Sequence, residues 1–111
     1  MLIKDIKISI LMDIYHPLLT EKQYDVLDMY FNLDYSLSEI AENESISRQG
    51  VLDIIKRSEQ KLLEYEDKLG IMKKFEATEQ AIKKIERLSK NAQNEREILA
   101  ATAELRSAWE E

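Results

Sequence analysis

Residues Tyr35 to Arg57, YSLSEIAENESISRQGVLDIIKR, decide the fold. They predict a short helix, a tight turn and a second helix. Ser36 precedes Glu39 by three residues, the capping-box spacing in which hydroxyl and carboxylate satisfy two orphan backbone N–H groups. Tyr35 and Ile40 occupy the positions of a hydrophobic staple across that cap. Ser47 is a second N-cap, with Ile46 and Val51 at its staple positions. The first helix of the pair is expected over Leu37 to Glu42, burying Leu37, Ile40 and Ala41, with the turn over Asn43 to Ile46. Two capped helices this close together are the sequence form of a helix-turn-helix, whose second helix enters the major groove of DNA.

Working outward, the second helix is expected from Ser47 to about Lys68. At 100° per residue Val51, Ile54, Ile55, Ser58, Leu62 and Tyr65 share one face, which is the expected core face. The opposite face carries Gln49, Asp53, Lys56 and Gln60, flanked by Arg48 and Arg57. On a recognition helix, Arg48 and Gln49 suit guanine and adenine edges, Lys56 and Arg57 suit phosphates, and Asp53 accepts from cytosine N4. Ser47, Arg48, Gln49, Asp53, Lys56 and Arg57 are therefore the candidate nucleic-acid contacts. The same residues also describe the solvated side of any core helix. Leu52 and Leu63 form a second, thinner apolar stripe that needs a cover.

Upstream, the helical spacing of Leu2, Ile3, Ile6, Ile10 and Ile14, with Lys4, Asp5 and Lys7 between them, predicts a helix over about residues 2–15. Pro17 ends it, leaving His16 as a cap or surface residue. Thr20 with Gln23 is another capping box, opening a helix that runs to about Asn32 and presents Val26, Leu27, Tyr30 and Phe31 to the core. Asp25 and Asp28 fall on its polar side. Downstream, Gly70 suits the residue that closes the long helix. Ile71, Phe75, Ile82, Ile85 and Leu88 mark a fifth helix, and Ser89 to Gln93 a break. Asn94 with Glu97 is cap-like, and Ile98, Ala101, Leu105 and Trp109 give a last helix over residues 95–110 an apolar face. These two helices form a hairpin or a projecting coiled coil.

The quoted stretch resembles the helix-turn-helix of sigma-factor region 4. With LLTEKQYDVLDMYFNLDYSLSEIAE before it and EQKLLEYEDKLG after it, the segment Ile8 to Gly70 is similar to the YlxM family, small bacterial helix-turn-helix proteins. That family is associated with the signal recognition particle pathway, its genes lying beside those for the particle's GTPase. The resemblance implies a bacterial, cytoplasmic regulatory protein acting on DNA or on signal recognition particle RNA, with particle proteins as further partners. The family usually has Gly where this chain has Ser45, an aromatic residue at Leu52 and an Asn at Ile54. A left-handed Ser45 costs on the order of 1 kcal/mol; a turn shifted so that Asn43 is left-handed avoids that cost.

Composition bounds the alternatives. The chain has 111 residues, two glycines, one proline, no cysteine and 34% charged side chains. The expected class is all-α: a four-helix domain over residues 1–70 holding the helix-turn-helix, then a helical extension or hairpin over 71–111 through which the chain can self-associate. No apolar run reaches the roughly 18 residues of a membrane span. Without thiols, a glycine-rich phosphate loop, a metal-ligand cluster or a nucleophile beside a base, neither enzymatic activity nor a cofactor is expected. Net charge is −6, and residues 1–69 account for it with 8 basic against 14 acidic side chains; residues 70–111 hold 8 of each. An acidic body opposes nucleic-acid approach at long range. It keeps open a second reading, a protein-interaction module whose acidic surface meets a basic partner such as the particle GTPase.

Overall fold

A computed structural model of the chain describes residues 6–90 and 93–109. The fold is all-α. Helix α1 spans Ile6–Tyr15, α2 Glu21–Leu27, α3 Leu37–Glu44, α4 Arg48–Leu69, α5 Ile71–Ser89 and α6 Glu95–Ser107. The chain divides into two compact units, one ending at Leu69 and the other beginning at Gly70.

In the first unit α1, α2 and α3 all pack on α4. Its core is Ile8, Leu11, Met12 and Tyr15 of α1, Val26 and Leu27 of α2, Met29 just beyond α2, Ile40 and Ala41 of α3, and Val51, Ile55, Ser58 and Leu62 of α4. Ile54 and Tyr65, expected in that core, are only half-buried. They sit at the edges of the α4 face, and Tyr65 instead donates its hydroxyl to the Leu18 carbonyl at 3.2 Å. Buried Tyr15 keeps its own polar tip satisfied by donating to Glu66 at 2.7 Å.

The spaced isoleucines that mark α1 are not its inner face. Ile6 is 75% and Ile10 44% exposed, and Ile14 is half-buried. The buried side chains are Ile8, Leu11, Met12 and Tyr15, themselves spaced i, i+3, i+4 and i+7. Apolar residues surround this helix on nearly every side, so two stripes satisfy the helical spacing and only the partner helices choose between them. Leu2, Ile3 and the start of the predicted helix lie outside the described residues.

The helix expected to Asn32 reaches it, but its last turn, Asp28–Asn32, is a π turn. Leu33 N–H donates to Asp28 O at 3.0 Å, an i→i+5 bond. With that widened turn Met29 is buried while Tyr30 and Phe31 stay half-buried, edge to face on each other at 5.0 Å. Asp28 faces solvent enough to accept from Asn32 Nδ2 at 2.8 Å. His16 lies exposed in a 3-10 turn and stacks on Tyr24 with ring centroids 3.6 Å apart.

In the second unit α5 and α6 fold back on one another. The pairs Lys84–Glu104 and Thr78–Trp109 run in opposite chain directions, so the hairpin is antiparallel. Ala81 and Ala101 are buried in it. Gly70, with φ 62, is the single residue between α4 and α5, in the left-handed region where glycine carries no steric cost. Asn94 occupies the N-cap of α6 but its side chain makes no capping bond there, contrary to the cap-like spacing with Glu97. Asn91, Ala92 and Glu110, within the predicted break and last helix, lie outside the described residues.

A candidate nucleic-acid interface at the start of α4

The geometry of the interface begins with local bonds. Ser36 Oγ accepts from Glu39 N–H at 3.1 Å, and Glu39 Oε1 accepts from Ser36 N–H at 3.0 Å. The N–H that Ser36 donates holds the Glu39 carboxyl below its ordinary pKa. The Thr20–Gln23 box forms in the same way, at 3.1 and 3.0 Å. Ser47 Oγ caps α4 by accepting from Gly50 N–H at 2.9 Å.

The turn differs from the expected one. α3 runs on through Asn43 to Glu44, and Ser45 itself is left-handed, at φ 57 and ψ 42. Ile46 N–H donates to Ala41 O at 3.1 Å and Ser45 N–H to Glu42 O at 3.4 Å, the paired bonds of a Schellman motif. Those bonds require the residue between them to be left-handed, so the strain falls on Ser45 and a shift to Asn43 does not occur. Asp34, at φ 63, is the other non-glycine residue in that region among those described.

The turn brings two helix starts to one groove. Ser36, Leu37 and Ser38 from α3 and Ser47, Arg48, Gln49 and Leu52 from α4 line an open cleft of about 660 Å³. Free N–H groups and the positive ends of both helix dipoles lie at its walls. Of the sequence-predicted contacts, Ser47, Arg48 and Gln49 line this groove; Asp53, Lys56 and Arg57 do not. All six are exposed. Lys56 stands about 12 Å along the axis from Arg48, and Arg57 about half a circle round the helix from it, so the six do not make a single patch. Asp53 Oδ1 accepts from Gln49 Nε2 at 3.0 Å. This pair orients the Gln49 amide while leaving its second hydrogen and its Oε1 to bond a base edge.

Sequence reasoning passed over Ser36, Leu37 and Ser38 as groove residues, although the cap that places them was legible. It also passed over the Gln49–Asp53 pair, whose i, i+4 spacing was the available signal. Among the described residues no group of His, Cys, Asp and Glu could hold a metal ion, and no helix is long and apolar enough to cross a membrane.

Helices α3 and α4, their turn and the groove they share define a helix-turn-helix protein. The family described as "Putative helix-turn-helix protein, YlxM / p13 like" matches residues 2–102, and the chain belongs to it. Its match to a UPF0122 protein of Clostridium kluyveri is 63% identical over 67 residues, covering 60% of this chain and 60% of that relative's length. The UPF0122 protein YlxM of Bacillus subtilis is 41% identical over 97 residues, covering 87% of this chain and 88% of the relative. A UPF0122 protein of Geobacillus kaustophilus is 41% identical over 106 residues, covering 95% and 96%. The likeness therefore extends past Gly70 into the α5–α6 hairpin.

Proposed function

We propose that the protein is a non-enzymatic, nucleic-acid-binding regulatory protein of the bacterial cytoplasm, and that the first turns of α4 are its contact surface. The observation that carries this reading is the convergence of two capped helix starts, Ser36 and Ser47, on a groove that also holds Arg48 and Gln49. Helix starts and Ser hydroxyls suit phosphates, and an Arg beside an oriented Gln suits base edges. Lys56 and Arg57 add phosphate contacts further along the helix. The family resemblance supports signal recognition particle RNA as a target beside DNA. An A-form major groove is too deep and narrow for α4, so RNA would be met at phosphates, 2′-hydroxyls or an unpaired loop.

The test is binding of labelled duplex DNA and of signal recognition particle RNA across a series of salt concentrations. Arg48→Glu with Lys56→Glu is expected to abolish binding; both side chains are exposed, so the fold persists. Wild-type affinity in the double variant would sink the α4 assignment.

A second reading, a protein-interaction module, is favoured by the charge of −6 on residues 1–69 and by Ile6 and Ile10 standing exposed on α1. It predicts partner capture, for instance of signal recognition particle proteins, that survives the Arg48 and Lys56 changes and depends only weakly on salt.

A further inference from the structure

The α5–α6 hairpin carries a cationic surface of its own. Lys83, Lys84 and Arg87 stand with Ala77, Gln80 and Ala81 around an open groove of about 660 Å³, and Glu104 of α6 is the acid on its wall. Glu104 is committed to one cation: its Oε1 lies 3.0 Å from Lys84 Nζ. Lys83 meets Glu79 of its own helix at 3.9 Å, with the two side chains 71% and 62% exposed, a geometry that holds little in water. Arg87 has no acidic partner within ion-pair distance among the described residues. Lys83 and Arg87 are one helical turn apart, about 6 Å along the same side of α5. One face thus presents Arg87, which has no ion pair among the described residues, and Lys83, held only by a weak exposed one, in a chain whose acidic excess lies wholly in residues 1–69.

We propose that this groove binds the phosphate backbone of a nucleic-acid strand, as a contact indifferent to sequence and separate from α4. The proposal rests on the reading of the protein as a nucleic-acid binder, but not on α4 being the contact surface. Three features select the ligand. The cations are exposed rather than caged, which suits a polymer that gains by releasing many counterions and not a single small anion. Ala77 and Ala81 are too short to fence off an approaching backbone. The groove lining offers no large apolar or aromatic side chain, the usual anchor of a peptide partner.

The experiment uses the full chain with three labelled probes of equal length: an RNA hairpin, a DNA duplex and single-stranded DNA. Affinity is measured against salt for the wild type, Lys83→Gln with Arg87→Gln, and a charge-matched control, Arg96→Gln with Arg106→Gln on α6. The groove variant should lose about two from the slope of log affinity against log salt and weaken all sequences of the bound polymer alike. The control should keep the wild-type slope, and the probe bound tightest identifies RNA or DNA as the source of the phosphates. An unchanged slope in the groove variant overturns the proposal, as does an equal loss in the control, which would make the effect one of net charge. If Arg48→Glu with Lys56→Glu binds normally while the groove variant fails, α4 is wrong and the groove stands; the reverse pattern leaves α4 standing alone. A wild type that binds none of the probes overturns both. If it then captures polyglutamate in a Lys83- and Arg87-dependent way, the groove belongs to an acidic polypeptide.

Discussion

The two units are built from the same kind of helix, yet they hold themselves together differently. The first closes on a core of fully buried large side chains, Tyr15, Leu11, Met12, Leu27, Ile40 and Leu62 among them, drawn from four helices. In the second the described residues bury only Ala81 and Ala101, and the largest side chains stay near the surface, Phe75 at 50% and Trp109 at 46% exposure. Its contacts are at the rim: Lys84 with Glu104, Trp109 Nε1 donating to Thr78 Oγ1, and Phe75 edge-on to Trp109 at 5.4 Å. Burial of large apolar side chains is the main stabilising term, at about 1.5–3 kcal/mol each. Exposed ion pairs contribute about 0–1 kcal/mol. The difference fits the roles proposed for the two units: a groove between two helix starts calls for a rigid core, whereas a hairpin proposed to meet phosphates needs only charge at helical spacing.

The largest test of that contrast is Leu62→Ala. Leu62 is completely buried on α4 where the other helices of its unit pack, so truncation leaves a cavity and should cost about 3 kcal/mol. The chain's single tryptophan, Trp109, reports on the second unit by its emission, while far-ultraviolet circular dichroism weighs both units. In urea the tryptophan transition should come first in the wild type. Leu62→Ala should move the later dichroism transition and leave the emission midpoint in place. Coincident transitions that shift together would break the comparison, since the units would then be unfolding as one.

How much of this was legible depends on how local each determinant is. The capping boxes at Thr20 and Ser36 and the cap at Ser47 are set by residues three positions apart, and each forms as read. Ser47, Arg48 and Gln49 were legible for the same reason: a helix start places its first turn. The inner face of α1 was not, because Ile6, Ile10 and Ile14 satisfy the same spacing as Ile8, Leu11 and Tyr15 and the choice is made by packing. The π turn was not, because no residue type demands an i→i+5 bond. The groove on α5 was not, because its charge depends on Glu104, twenty residues from Lys84, removing one lysine and leaving two other cations. Local chemistry was readable; tertiary choices between equivalent patterns were not.

A smaller effect sharpens the view of the turn. Ser45 sits at φ 57 and is exposed, so its side chain has little packing to lose. Glycine takes the left-handed region without the Cβ clash. Ser45→Gly should therefore stabilise the first unit, by about 1 kcal/mol less the added flexibility of the unfolded chain. The gain should appear in the dichroism transition and not in tryptophan emission. A loss of stability would mean that the Schellman bonds of Ile46 and Ser45 do not set the left-handed residue.

The smallest expected effect is electrostatic and confined to the start of α3. Glu39 accepts the Ser36 N–H, and that bond holds its folded pKa below the ordinary value of 4.5. A carboxyl with a lowered folded pKa contributes stability that is complete above its unfolded pKa and is lost as pH falls through the folded one. Glu39→Gln retains an oxygen that can accept from Ser36 and removes only the charge, which also favours the positive end of the α3 dipole. Wild type and Glu39→Gln should therefore differ in thermal midpoint at neutral pH, with wild type the higher, and converge as pH drops below the glutamate range. The emission transition of Trp109 should show no such convergence. A constant gap between the two proteins across acid pH would mean that the Gln loses a hydrogen bond rather than a charge, and that the box is held by geometry alone.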